Sequence, residues 1–259
     1  MQDLKVTLIQ PDMLWQSPAE NRQMYEQLMD HNASDTELVV LPEMFSTGFT
    51  MDSRTAAESM GGETCQWLQQ QAQNRGIAIC GSIAITEEGQ FYNRMIWTYP
   101  DGRQVHYDKR HLFRMAGEHQ RYASGSKRVV VEYNGWNILL QVCYDLRFPV
   151  FSRNRNDYDL ALYVANWPAA RRQPWRKLLQ ARAIENLCYV VGVNRVGTDA
   201  NGHDYSGDSM LVDFKGDLLV DHPPGEAFCE TSTLSADALA DFKEKFPAWM
   251  DADDFSYEE

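Results

Sequence analysis

The sequence feature that most restricts the fold is the stretch from Trp136 to Pro149, which changes abruptly from apolar to polar. Its first half, ending at Val142, is the mainly apolar run of a buried β-strand. Polar residues follow at once, and Pro149 stands where the first turn of a helix tolerates proline. The stretch therefore predicts a strand, a tight turn carrying Cys143, and a helix. The positive end of that helix would favour a thiolate, whereas an ordinary free cysteine would only fill space in the core.

Strand and helix patterns alternate along the whole chain. Apolar runs predict strands at residues 4–9, 37–42, 77–85, 91–99, 129–132, 136–142, 159–165, 189–194, 210–214, 218–220 and 228–234. Helices are predicted at residues 18–32, 63–75, 149–155, 175–188 and 236–246, with Ser17 and Ser235 as N-cap residues of the first and the last. Strands that alternate with helices of about 10 to 15 residues indicate an α/β fold in a single domain.

The charge balance excludes several classes of partner. The chain carries 24 Lys and Arg against 37 Asp and Glu, a formal net charge of −13, which disfavours nucleic-acid backbones and anionic membranes. No apolar run approaches the roughly 18 residues of a membrane span, and residues 1–10 show a strand pattern rather than a signal peptide. The five cysteines form no disulfide framework, so we expect a cytoplasmic protein with free thiols and no nucleic-acid or membrane partner.

Three reactive side chains stand in loops after apolar runs. They are Glu43, Lys109 and Cys143, an acid, a base and a thiol. Each has an ordinary alternative, since a carboxylate at a strand end is often a solvated cap or half of a salt bridge, and a loop lysine usually lies in solvent. The sequence of these segments alone leaves both interpretations open.

Histidines in the loop around Lys109 raise the question of a metal. His106, His111 and His119 are separated by five and eight residues, with no cysteine among them. These spacings fit no helix-face or zinc-knuckle pattern. We therefore expect neither a metal site nor another cofactor.

Glu43, Lys109 and Cys143, in this order along the chain, resemble the catalytic set of the nitrilase, or carbon–nitrogen hydrolase, superfamily. Their contexts and four further motifs match as well: Leu41 to Glu43, Tyr107 to Phe113, Val142 to Pro149, Ala165 to Pro168, Arg182 to Asn186, Asn194 to Gly197 and Tyr205 to Ser209. The resemblance implies a single-domain, four-layer α-β-β-α sandwich over residues 1–234. We expect the helix and acidic tail of residues 235–259 at the interface of a homodimer.

The resemblance also implies a mechanism for hydrolysing a small amide. Cys143 would attack the carbonyl and form a thioester, while Glu43 would carry the proton from the thiol to the departing ammonia. Lys109 and the backbone amide of Tyr144 would stabilise the tetrahedral oxyanion. Glu118 matches the second glutamate of the family and would orient Lys109 or the substrate, the alternative being a surface helix cap.

Substrate-binding residues are expected in the neighbouring loops. They are Phe45, Met115, Tyr144 and Trp167 as pocket walls and Arg171 as receiver of a substrate carboxylate. Arg171 and the adjacent Arg172 could equally be a solvated helix start. Arg147 could bind an acidic substrate, but we expect it to be structural and paired with Asp145.

Within the superfamily, the compact length and the motifs at Cys143 and Asn166 are most similar to the ω-amidase branch. These enzymes hydrolyse the terminal amide of 2-oxo dicarboxylic acid monoamides, such as 2-oxoglutaramate and 2-oxosuccinamate, to the 2-oxo acid and ammonia. They act downstream of glutamine transaminases, including the one of methionine salvage. The alternatives are an amidase for deaminated glutathione or another small amide, and a non-catalytic binding protein on the same fold.

Overall fold

Two six-stranded sheets form the centre of the structure, a computed structural model that describes residues 1–33, 35–253 and 255–256. The strands are β1 Leu4–Gln10, β2 Leu38–Val40, β3 Ala78–Glu87, β4 Gln90–Thr98, β5 Gln104–Asp108, β6 Val130–Tyr133, β7 Trp136–Val142, β8 Leu160–Val164, β9 Tyr189–Val193, β10 Val196–Thr198, β11 Asp204–Ser206, β12 Met210–Val212, β13 Leu218–Asp221 and β14 Phe228–Leu234. The α-helices are α1 Pro18–Asn32, α2 Ser53–Ala56, α3 Glu63–Arg75, α4 Pro149–Ser152, α5 Arg172–Asn186 and α6 Ala236–Lys245.

The two sheets share one plan. The first has the order β14-β1-β2-β3-β4-β5 and the second the order β13-β12-β9-β8-β7-β6, while β10 and β11 pair separately. Three central strands of each sheet run parallel: β1, β2 and β3 in the first, and β7, β8 and β9 in the second. Parallel neighbours require crossover connections, and the long helices α1, α3 and α5 supply three of them.

The position of the core confirms the four-layer α-β-β-α sandwich. On one face of β1, Leu4 and Leu8 join a buried cluster with Ile138 and Leu140 of the opposite sheet. Ile9, on the other face of β1, joins a second cluster with residues of α1 and α3. Because successive strand residues point to opposite faces, one face of the first sheet packs on the second sheet and the other on helices.

The segment after Cys143 differs from its prediction. The prediction of a single helix that ends near residue 155 was wrong. A 3-10 helix, Cys143–Arg147, is followed instead by the four-residue α4. Phe148 separates the two with φ −116° and ψ 82°, and Pro149 has no N–H to continue the first helix. Ser17 precedes α1 as expected, but its hydroxyl donates to the carbonyl of Trp15 and caps no helical amide.

The last helix packs on the same core as the sheets. Ser235 caps α6 as predicted, accepting from the amide of Ala238 at 3.3 Å. Leu239 is fully buried, and the ring of Phe242 lies 4.7 Å from that of Phe214. Of the acidic tail, Asp254 and residues 257–259 lie outside the described chain. Among the helices that the structure describes, none is both long and apolar enough to cross a membrane.

The loops that carry the candidate residues meet where the two sheets face each other. Glu43 follows β2 of the first sheet, and Cys143 follows β7 of the second. Gly81 on β3 makes room for the Glu43 loop, because a Cβ there would lie 2.8 Å from atoms of both Leu41 and Phe45. A larger residue would push this loop, and with it the carboxylate, out of place.

Candidate active site

Glu43, Lys109, Glu118 and Cys143 lie together at the junction of the two sheets. Lys109 Nζ donates to Glu43 Oε1 at 2.8 Å and to both carboxylate oxygens of Glu118 at 3.0 Å. The side chains of Lys109 and both glutamates are 0% exposed, and Cys143 is 9% exposed at the wall of a cavity. Buried charges are tolerated only when they are paired and hydrogen-bonded, and here one ammonium serves two carboxylates.

Glu43 is held in place by donors from both sheets. Asn93 Nδ2 on β4 donates to Oε1 at 2.7 Å, and the backbone amide of Asn166, directly after β8, donates to Oε2 at 2.8 Å. The side-chain amide of Asn166 also donates to the carbonyl of Glu43. These bonds fix the carboxylate across the interface between the sheets, next to the thiol.

Asn93 is a site residue that the sequence analysis missed. Besides its bond to Glu43, its Nδ2 donates to Glu118 Oε1 at 3.1 Å. Its Oδ1 accepts from Ser82 Oγ at 2.8 Å, and that hydroxyl in turn accepts from the amide of Met44 at 2.9 Å. A signal was present in the sequence, since Ser82 and Asn93 are polar residues inside predicted strands, where a buried polar group needs a partner.

The glutamates and Lys109 perturb one another. Burial alone would lower the pKa of Lys109, but the charges of Glu118 and Glu43 overcome this and raise the pKa above its usual value. Burial raises the pKa of Glu118; Lys109 opposes the shift and Glu43 adds to it. Glu118 also accepts from the amide of Phe113 at 2.6 Å, so the alternative of a surface helix cap is wrong for it.

Asp145 fixes the turn that presents Cys143. Cys143 has a φ of +46°, a left-handed backbone conformation that a non-glycine residue adopts only when its surroundings require it. Asp145 Oδ2 accepts from the amide of Val142 at 2.9 Å and from the hydroxyl of Tyr107 at 2.8 Å. Its Oδ1 accepts from the amide of His111 at 3.0 Å. The buried carboxylate thus holds the strand end and the neighbouring loop in register.

The thiol of Cys143 is not poised as a thiolate, contrary to the expectation from the helix N-terminus. Burial raises its pKa well above the ordinary value, and the charge of Glu43 and a hydrogen bond to it raise it further, while Lys109 opposes the shift. The helix that was expected to stabilise the thiolate is only four residues long. The arrangement therefore keeps a protonated sulfur beside a carboxylate that can accept its proton.

The cavity above Cys143 has a volume of about 600 Å³. Of the predicted substrate-binding residues, Tyr144, Trp167 and Arg171 line it. The prediction is wrong for Phe45, which is fully buried with its ring 5.6 Å from that of Tyr25, and for Met115, which is 81% exposed outside the cavity. Phe49 and Phe113 supply aromatic walls instead, four residues after Phe45 and two before Met115.

Of the arginines near the cavity, one forms an ion pair with a carboxylate within the described chain and two do not. Arg172 is not available to a substrate, because its guanidinium already donates to both carboxylate oxygens of Asp208, at 3.0 and 2.6 Å. Arg171 and Arg147 line the cavity, and no carboxylate of the described residues forms an ion pair with either. The guanidinium of Arg147 lies 5.1 Å from the ring of Trp167, so its expected pairing with Asp145 is wrong. Two positive charges therefore remain available to a bound anion.

Of the histidines in the loop after β5, His111 is bound to neighbouring side chains. His111 contacts Asp145 through Nδ1 at 2.7 Å and stacks on Phe148 with ring centroids 3.9 Å apart. In the part of the chain that the structure describes, no group of three or more His, Cys, Asp or Glu side chains has an arrangement that could hold a metal ion.

Comparison with known proteins gives concordant matches. A family model described as Carbon-nitrogen hydrolase matches residues 5–238. A relative from Yersinia enterocolitica, named Omega-amidase YafV, is 48% identical over 257 residues, covering 98% of this chain and 99% of the relative. Its namesake from Escherichia coli (strain K12) is 47% identical over 256 residues, covering 98% and 99%. The crystal structure of XC1258 from Xanthomonas campestris, described as a CN-hydrolase superfamily protein with an arsenic adduct in the active site, has a TM-score of 0.97 at 47% identity and covers 100% of both chains.

The elevated pKa of Cys143 predicts how its alkylation by iodoacetamide depends on Glu43 and on pH. In the intact protein, we expect Glu43 to accept the thiol proton, so that labelling proceeds at neutral pH. In Glu43→Gln, only direct ionisation yields a thiolate, and we expect labelling at neutral pH to slow roughly 100-fold or more. Burial still raises the pKa of Cys143 in the variant, although the contribution of the Glu43 charge is lost, so the labelling rate of the variant should still increase above pH 9.0, the ordinary value for a thiol.

Labelling at each cysteine is followed by mass spectrometry, with partly exposed Cys229 as the internal control. Its rate should be the same in both proteins. Equal labelling of Cys143 at neutral pH in the intact protein and in Glu43→Gln would contradict the assignment of Glu43 as proton acceptor.

Proposed function

The chain belongs to the carbon–nitrogen hydrolase family, and from this membership we propose that it is an ω-amidase. It hydrolyses the terminal amide of 2-oxo dicarboxylic acid monoamides, 2-oxoglutaramate and 2-oxosuccinamate, to the 2-oxo acid and ammonia. The observation that carries the proposal is the 48% identity, over nearly the full length of both chains, to a relative named Omega-amidase.

The first half of the reaction forms a thioester. Cys143 Sγ attacks the amide carbon as Glu43 takes the thiol proton, which gives a tetrahedral adduct with a negative oxygen. Lys109 Nζ and the backbone amide of Tyr144 stabilise that oxygen, and one such donor is typically worth roughly 3 to 4 kcal/mol of transition-state stabilisation. Glu43 then gives the proton to the amide nitrogen, the carbon–nitrogen bond breaks, and ammonia leaves.

The second half of the reaction hydrolyses the thioester and regenerates the free enzyme. A water molecule takes the place of ammonia, and Glu43 removes its proton as the oxygen attacks the thioester carbon. The second tetrahedral adduct collapses with release of the acid, and the proton on Glu43 returns to the sulfur. Glu118 keeps Lys109 in position through both halves by its two bonds of 3.0 Å to Nζ.

The cavity also has groups suited to the two ends of such a substrate. Asn166 Oδ1 is buried and has no hydrogen-bond partner within the described chain, so it is available to accept from the amide nitrogen next to Glu43. Arg171, and with it Arg147, offers a positive charge to the carboxylate at the other end, and Tyr144 and Trp167 cover the chain between them. A charge-assisted bond to a carboxylate typically contributes about 1.5 to 3 kcal/mol.

We extend the proposal to the setting of the enzyme: a cytoplasmic homodimer that acts on products of glutamine transamination, as in methionine salvage. Val150 on α4 and Ile184 on α5 are 55% and 51% exposed, and Arg153, next to α4, donates to the carbonyl of Glu185 at 2.7 Å. These apolar side chains on neighbouring helices suit a contact with a second copy.

Light scattering of the intact protein and of Val150→Asp/Ile184→Asp tests whether two copies pair. A monomeric mass of the intact protein would exclude the dimer.

The substrate assignment predicts an order of preference. Ammonia release from 2-oxoglutaramate should exceed that from deaminated glutathione and from a simple nitrile by roughly tenfold or more in kcat/KM, because a well-placed charged contact discriminates by at least that factor. Cys143→Ala should release no ammonia, while the matched variant Cys229→Ala keeps the rate of the parent.

A preference for deaminated glutathione would replace the substrate and leave the thioester chemistry unchanged. Turnover that survives in Cys143→Ala would contradict the mechanism itself. No turnover of any amide by the intact protein would favour a non-catalytic binding protein on this fold.

Asn93 is predicted to act on kcat through the two carboxylates that it joins. In Asn93→Ala, the shared donor to Glu43 and Glu118 is lost, and we expect kcat for 2-oxoglutaramate to fall roughly 10- to 100-fold with a smaller change in KM. Asn137→Ala, on the exposed end of β7, is the matched control and should keep the parental kcat. An unchanged kcat in a folded Asn93→Ala would show that Asn93 does not contribute to catalysis.

A further inference from the structure

A second concave region adjoins the catalytic cavity at Tyr144, which lines both. It is a cleft of about 840 Å³ between the segment that follows β5 and the residue Phe148. Its lining residues with basic side chains, which together define the basic cleft, are Arg110, His111, Arg114, His119 and Arg121. None of the described residues that line it is Asp or Glu. This composition is the reverse of that of the whole chain, whose formal net charge is −13.

Most of the positive charge in the basic cleft is not neutralised. Arg114 and Arg121 are exposed, and within the described chain no carboxylate lies at ion-pair distance from either. Arg110 donates to the carbonyl of Ser126 at 3.4 Å and lies 5.1 Å from the ring of Phe151, two contacts that orient a guanidinium without cancelling its charge. A concave surface lined by one sign of charge focuses the potential and concentrates counter-ions.

The two histidines of the basic cleft have different roles. His111 is already paired with Asp145 and stacked on Phe148, so it forms part of the wall. His119 Nδ1 is buried and has no hydrogen-bond partner among the described residues. A desolvated ring nitrogen without a partner is costly, so the wall of the cleft contains an unsatisfied polar group.

We propose that the basic cleft is a second binding site, which takes a small anion with two or more oxyanionic groups. Guanidinium forks match carboxylate and phosphate geometry equally well, so the shared chemistry is that of a polycarboxylate or a polyphosphate. The volume lies in the range of roughly 300 to 1,000 Å³ that small-ligand sites occupy. The ligand would lie beside Tyr144, the residue after Cys143, and therefore next to the turn that carries the nucleophile. The site does not depend on the substrate proposed above.

Calorimetric titration of the full chain tests the site, with citrate as the carboxylate probe and pyrophosphate as the phosphate probe. The protein is first alkylated at Cys143 with iodoacetamide, which blocks the nucleophile at the wall of the catalytic cavity. We expect one saturable site per chain for at least one probe. Arg114→Gln/Arg121→Gln should weaken it by at least roughly tenfold for each arginine removed.

The matched control is Arg103→Gln/Lys245→Gln, which removes the same charge from two side chains that are 71% and 72% exposed and pair with acids elsewhere. This variant should bind like the parent. Binding of citrate alone or of pyrophosphate alone names the class of occupant and supports the site. The proposal is overturned if neither probe binds saturably, or if both double variants lose affinity equally. It is also overturned if binding appears only after residues 252–259 are deleted, because that result would assign the cleft to the chain's own acidic tail.

Discussion

The hydrogen bonds of one buried ammonium hold this site together. Lys109 Nζ bonds to both Glu43 and Glu118, each of them fully buried. A single buried carboxylate beside the thiol would shed its charge or destabilise the fold, because an uncompensated charge in a low-dielectric interior is costly. Lys109 lets two carboxylates remain there; in the proposed mechanism, one of them moves protons and the other positions the ammonium. The same ammonium lies close enough to the sulfur to oppose the rise in the pKa of Cys143.

The protonated state of the nucleophile follows from where the site is placed. A cysteine at an open helix end would ionise readily, but Cys143 is enclosed between the sheets and faces the negative charge of Glu43. In the proposed mechanism the thiol proton therefore passes to Glu43. Glu43 can serve because bonds from Asn93 and Asn166 fix both of its oxygens. Asn93 belongs to the first sheet and Asn166 follows a strand of the second. The packing of the two sheets therefore sets the geometry of proton transfer.

The distribution of charge resolves an apparent conflict between an acidic protein and the anionic substrate proposed for it. The chain has a formal net charge of −13, yet Arg147 and Arg171 face the catalytic cavity without an acidic partner among the described residues. Local cations act over a few ångströms, whereas the remaining surface charge is screened by salt beyond about 10 Å. A few arginines that lack carboxylate partners can therefore receive anions on a protein that repels polyanions elsewhere.

The sequence by itself determined most of the strands and the long helices, the Ser235 cap and the α/β class, and it singled out Glu43, Lys109 and Cys143, because apolar periodicity and local motifs are encoded by neighbours in the chain. It did not indicate β5, β10, β11 or α2. Tertiary structure alone decided which side chains surround them. Phe45 and Phe49 are alike in sequence, but only the close approach over Gly81 buries the first and leaves the second at the cavity. Asp208 lies 36 residues after Arg172 and neutralises it, while Arg171 stays available. The pKa of Cys143 likewise depends on Glu43, which is distant in the chain, because burial and charge pairing arise only when the two sheets pack face to face.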